Sequence, residues 1–189
     1  MQSQKTLLAV ALSTGLGSLA VPAFADVYCP PNLGAVTIDD NVIVENGQCV
    51  LNGTQVKGNV LVKSNGALTV RDARIEGNIQ ADGGLYVHVE STKVDGDIQL
   101  EGVSGGDSHV KDSYIGGNLQ LDNNRVSLLA EKNIIDGDLQ AFSNISFPGD
   151  LVIYRNFIDG NLQCKSNDPK PIGGRNRVSG NKEDQCARL

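Results

Sequence analysis

Apolar side chains along this chain keep two fixed offsets from a recurring glycine. Two residues before it stand Val56, Ile75, Val94, Ile115, Ile135, Ile158 and Val178. Two residues after it stand Val60, Ile79, Ile98, Leu119, Leu139 and Leu162. The positions between are polar or small, and alternation with period two is the mark of a half-buried strand. The glycines, Gly58, Gly77, Gly96, Gly117, Gly137, Gly160 and Gly180, recur every 19–23 residues. A period near twenty built on β-formers predicts a solenoid, because one such unit cannot bury its apolar side alone and a stack of them can.

Weaker strand patterns lie between these signatures, at Ala67–Val70, Leu85–Val89, Val126–Leu129 and Leu151–Tyr154. Ser64-Asn65-Gly66, Asp82-Gly83-Gly84, Gly105-Gly106-Asp107 and Asp122-Asn123-Asn124 read as turns between them, and so do Asn46-Gly47 and Asn52-Gly53 nearer the start. The signature glycine either faces a tight core or turns together with the Asn or Asp that follows it; the turn is favoured, since those side chains tolerate left-handed backbone. No stretch after residue 25 carries a helical apolar period. The predicted fold is all-β: a single-stranded parallel β-helix of about seven coils of 19–23 residues. Right-handed coiling is favoured, as it is for parallel crossovers generally. A propeller is disfavoured because its blades need about forty residues. Residues 26–55 read as an N-terminal cap and a first degenerate coil, 56–181 as the repeats and 182–189 as a C-terminal cap.

The Gly-Asn/Asp-Ile/Leu repeat between Val56 and Asn181 resembles that of bacterial exported right-handed parallel β-helix proteins and of the polymer-forming bactofilins. The ending, from Gly160-Asn161-Leu162-Gln163-Cys164 to Gln185-Cys186, is similar to that of small exported bacterial proteins. The chain departs from bactofilins in its first residues and its cysteines. Lys5, the apolar run Leu7–Leu19 and Ala23-Phe24-Ala25 have the order of a signal peptide cleaved after residue 25. An export address follows, periplasmic or extracellular, with no membrane insertion.

Four cysteines on an exported chain read as two disulfides. Cys29 and Cys49, and Cys164 and Cys186, are each about one coil apart, so stacking predicts the pairs Cys29–Cys49 and Cys164–Cys186. The formal charge is −6, and Lys5 is the only charged residue before residue 26, so the exported part is more acidic still. That balance speaks against nucleic acid and anionic lipid as partners.

Candidate chemistry is sparse. Asn59, Asn78, Asp97, Asn118, Asp138 and Asn161 follow the glycines and predict a hydrogen-bonded ladder. Gln80, Gln99, Gln120, Gln140 and Gln163 form a second column, either another ladder or a polar ligand-binding strip. Asp136 and Asp159, with Asp138 beside them, are expected to stack close enough to splay apart or to hold a weak divalent cation. No other cofactor is implied. His88 and His109 differ in register relative to Gly77 and Gly96, and they read as solitary histidines. There is no Trp, no phosphate loop and no nucleophile–base arrangement. The expectation is a non-enzymatic exported protein, monomeric or a small oligomer, that binds or supports an envelope or extracellular protein or polysaccharide. A polysaccharide lyase or hydrolase is the alternative.

Overall fold

A computed structural model describes residues 26–189. The predicted signal peptide lies outside the described residues. Every named element is a strand, every pairing is parallel, and the chain winds as a β-solenoid of about seven coils. Each coil has three faces. In one middle coil these are Ile79–Asp82, Tyr86–Glu90 and Lys93–Val94; in the next, Ile98–Glu101, Ser108–Lys111 and Tyr114–Ile115.

Register between coils is strict. On the first face Ile79, Ile98, Leu119, Leu139 and Leu162 stack in one column. On the third, Ile75, Val94, Ile115, Ile135 and Ile158 do the same. All are buried, together with the inward column of the second face that holds Val89, Val110, Ala130 and Ile153. Both apolar offsets read from the sequence are therefore core positions, and only Val178, on the last coil, is partly exposed. Burying each aliphatic side chain is worth about 1.5–3 kcal/mol of transfer free energy before entropy is counted.

The stack extends into residues 26–55, where a cap and a first degenerate coil are expected. Val42–Asn52 is a full member of the stack, paired with Val60–Arg71 on both sides of a register shift between Val44 and Asn46. Val27–Tyr28 and Thr37–Ile38 form part of one further coil above it. Two predicted turns are absent. Asn46-Gly47 and Ser64-Asn65-Gly66 lie inside these two long strands, which pass from the first face to the second through a bulge, with Gly47 left-handed, and not through a separate loop. Pairing with each other supplies the backbone hydrogen bonds that a turn would otherwise have to satisfy.

The signature glycine does not turn in the left-handed region. A Cβ on Gly96 would lie 2.2 Å from Asn78 Oδ1, and one on Gly137 would lie 2.4 Å from Asn118 Oδ1. Glycine is required there by the close approach of the coil before it. Left-handed backbone occurs at the other two corners, as at Gly83, Gly102 and Asn123, and at Asp72, Ser91, Asp112, Lys132, Arg155 and Arg175.

The two cysteine pairs form as predicted, with Cα–Cα distances of 5.5 Å for Cys29–Cys49 and 5.3 Å for Cys164–Cys186. They do not join stacked positions, however. Cys164 is in register with Asp184, two residues short of Cys186, and Cys29 follows Tyr28, the register partner of Ile43, well short of Cys49. Each bridge crosses the end of the core, where all four cysteines are buried. The pairs are consistent with an oxidising location.

Candidate functional site

The predicted Asn/Asp column is a continuous ladder on the corner between the third and first faces. Each side-chain oxygen accepts the backbone N–H of its counterpart one coil on, from Asn59 to Asn78 at 2.9 Å, Asn78 to Asp97 at 2.7 Å, Asp97 to Asn118 at 2.6 Å and Asn118 to Asp138 at 2.8 Å. It extends beyond the predicted residues, to Asn41 at one end and Asn181 at the other.

The glutamines are also a ladder. Gln80 donates to Gln99 at 3.1 Å, Gln120 to Gln140 at 3.3 Å, Gln140 to Gln163 at 3.0 Å and Gln163 to Glu183 at 2.8 Å. The run has no Gln99–Gln120 bond, and each amide keeps part of its donor and acceptor capacity facing outward.

The three aspartates do not converge on a common point. Asp138 Oδ1 accepts both the backbone N–H and the side-chain amide of Asn161, at 2.6 and 3.2 Å. Asp136 accepts from the Tyr114 hydroxyl at 2.5 Å, and Asp159 from Ser179 at 3.2 Å. Each carboxylate bonds along the stack to a neutral donor of its own. The bond to Asp136 also holds the Tyr114 phenol above its usual pKa, since the carboxylate stabilises the protonated hydroxyl.

Two features were missed by the sequence reading. The first is on the third face and its corner with the second. Lys93, Tyr114, Ile134, Phe157 and Arg177 stack in register with their side chains outward. Ile134 and Phe157 are each about half exposed, at 51%. Beside them the left-handed corner position carries Lys132, Arg155 and Arg175 on successive coils, all exposed. Arg155 and Arg175 lie 5.2 and 5.9 Å from the Tyr154 ring, and Arg177 lies 5.3 Å from that of Phe157. Lys132 pairs loosely with Glu131 at 3.4 Å. Among the described residues no carboxylate pairs with Arg155, Arg175 or Arg177. An acidic chain thus carries a local row of cations, stepped at the coil repeat and lined by aromatic and aliphatic surface. Two open grooves run along it: one of about 500 Å³ between Lys132, Arg155, Arg175 and Phe157, and one of about 480 Å³ on the far side of Phe157 and Arg177 that Asp136 and Asp159 also line.

The second feature overturns the reading of the histidines. His88 and His109 are register partners on the second face, with rings stacked at 4.2 Å between centroids. The apparent offset arises because the corner Gly102–Asp107 is longer than its counterpart Gly83–Leu85 in the coil before. His109 Nε2 lies 2.8 Å from Glu90, which Lys111 and Arg71 also contact, at 3.0 and 3.2 Å. Lys111 chiefly, with His109 and Arg71, pulls the Glu90 carboxyl down to about 2. Burial, reinforced by the neighbouring His88, holds His109 below its ordinary pKa against the pull of Glu90.

Compared with protein-family models, curated proteins and solved structures, the chain matches none of them.

Proposed function

We propose that this is an exported, non-enzymatic binding protein. In this reading the third-face ridge grips an extended acidic polysaccharide lying along the rod axis. The observation that carries the proposal is the row Arg155, Arg175 and Arg177, unpaired with any carboxylate among the described residues and set against Phe157 and Ile134. Coils repeat at about 4.8 Å, so Lys132, Arg155 and Arg175 step along the rod one per coil, with Arg177 beside Arg175 on the same coil, and an extended acidic chain can follow them. Guanidinium groups suit carboxylate and sulfate through paired N–H donors. The exposed ring and aliphatic surface suit the apolar faces of pyranose rings. Flat strands and short corners here wall off no deep cleft, which favours holding a polymer over cleaving it.

Titration calorimetry of the chain from residue 26 onward with polygalacturonate, alginate and neutral cello-oligosaccharides tests the proposal. Binding to the acidic polymers is expected, weakening with salt and falling at least tenfold in the triple variant Arg155→Ala/Arg175→Ala/Arg177→Ala. Equal binding of neutral chains, or acidic binding that survives the triple substitution, would overturn it. Release of new chain ends during incubation would move the protein to the lyase or hydrolase class.

A further inference from the structure

His88, Asp107 and His109 bring one donor atom each to within 4.8 Å of the others on the second face. They come from two coils and one corner. Strand pairing fixes the two imidazoles side by side, and the lengthened corner Gly102–Asp107 delivers the carboxylate, its Oδ2 already 3.7 Å from His88 Nε2. The histidines are only partly exposed, at 22% and 15%, whereas Asp107 is 76% exposed and free to swing. His109 and Asp107 border a shallow groove of about 270 Å³, which also leaves one side of the cluster open to water.

We infer that His88, His109 and Asp107 form a binding site for a late first-row divalent metal ion such as Zn²⁺. Two imidazole nitrogens and a carboxylate oxygen are the donor set that such ions take, with a water in the remaining position. Metal–ligand bonds of about 2.0–2.2 Å place neighbouring donors between 3 and 4 Å apart. The rings now stack nearly parallel, so the cluster reaches that when both imidazoles tilt toward a shared point about their side-chain torsions and the exposed Asp107 swings in. Zinc entry displaces the present partners of the rings, the Asp107 carbonyl at 2.9 Å from His88 and Glu90 at 2.8 Å from His109. Glu90 keeps Lys111 and Arg71 when it is displaced. Calcium and magnesium, which want a shell of oxygens, are excluded by the same donor set.

These are the only two histidines in the chain, so histidine-dependent binding by untagged protein reads this pair alone. Untagged protein from residue 26 onward, stripped with chelator, is titrated calorimetrically with Zn²⁺ and separately with Ca²⁺. One Zn²⁺ per chain is expected. His88→Gln and His109→Gln should each weaken binding at least tenfold, and Asp107→Asn at least threefold. The variants lie on an outward face, and unchanged circular dichroism checks that each remains folded. Absence of saturable zinc binding up to millimolar concentration would overturn the site. So would equal affinity for calcium, or zinc binding retained in the double variant His88→Gln/His109→Gln. An unaffected Asp107→Asn would overturn the three-donor assignment. None of these outcomes depends on the third-face ridge, which lies on the other side of the corner.

Discussion

Asn144 is fully buried at the corner between the first and second faces, and replacing it with alanine tests what holds that corner. Its Oδ1 accepts the backbone N–H of Asn124 at 3.0 Å and the side-chain amide of Asn124 at 2.9 Å. Its own amide donates to the Leu121 carbonyl at 2.8 Å and to Asn167 Oδ1 at 2.9 Å. In Asn144→Ala the two Asn124 donors lose this acceptor inside the core, at about 1–3 kcal/mol each. Asn167 Oδ1 still accepts the backbone N–H of residue 144, at 3.0 Å, so its loss is smaller. The Asn124 amide keeps the Leu100 carbonyl at 2.9 Å, so the sum falls in the lower part of the range, at about 2–4 kcal/mol. Gln120→Ala, on the outer ladder, should cost below about 1 kcal/mol, because water replaces what it loses. Urea denaturation without reductant measures both, compared through midpoints at a common slope. Asn144→Asp adds a sharper arm. It keeps the acceptor but aims a second oxygen at two oxygens, so its carboxyl pKa rises on folding. Its stability should therefore be greatest at acidic pH and fall as pH rises through the folded pKa. A loss below 1 kcal/mol in Asn144→Ala, or one equal to that of Gln120→Ala, would refute the claim that the buried amides hold the corner.

Gly96→Ala should destabilise by about 2–4 kcal/mol, since its Cβ meets Asn78 Oδ1 at 2.2 Å and the Gly77 carbonyl at 2.8 Å; a melting temperature unchanged from wild type would show that the coils can part there. Glu90, with a folded pKa of about 2 against an ordinary 4.5, contributes stability above pH 4.5 that is lost as pH falls toward 2. Solvent screening at this partly exposed site holds the contribution to about 1–2 kcal/mol. Melting curves from pH 2 to 7 should show that acid-dependent loss in the wild type and a smaller one in Glu90→Gln. Replacing Cys164 and Cys186 together by serine should cost about 3 kcal/mol and leave the other bridge intact, read by denaturation and by peptide mapping without reduction.

The core was legible because its signal is repeated: a buried Val, Ile or Leu on either side of each glycine cannot be coincidence over six coils. The outer Asn/Asp ladder was legible for the same reason. The buried ladders were not. Asn124, Asn144 and Asn167 lie on one corner and Asn133, Asn156 and Asn176 on another, and polar residues in turn-like sequence read as solvent-facing. Their burial follows from the left-handed residue before each, which folds the next side chain inward, and no hydropathy pattern carries that information. The ridge was within reach. The positions three and five before each glycine spell Lys93, Tyr114, Ile134, Phe157, Arg177 and Asp112, Lys132, Arg155, Arg175, but whole-chain charge hid a cluster confined to the last coils. The histidines were misplaced because counting from the glycine ignores a corner whose length changes between them.

That corner has a wider consequence. Between the first and second faces the connection runs from Gly83–Leu85 in one coil to Ser143–Asp150 in another, whereas the other two corners keep a constant length throughout. An extra residue at a constant corner would slip the following strand by one place and turn its apolar set outward. At the variable corner it lengthens a surface excursion and the next strand still docks on its partner. The molecule therefore has a single seam, beyond the buried Asn124, Asn144 and Asn167 in each corner, along which foreign sequence can be spliced into successive coils while the amide ladder and the strands keep their register. Peptides grafted there would be displayed in a line at one spacing along a rigid rod.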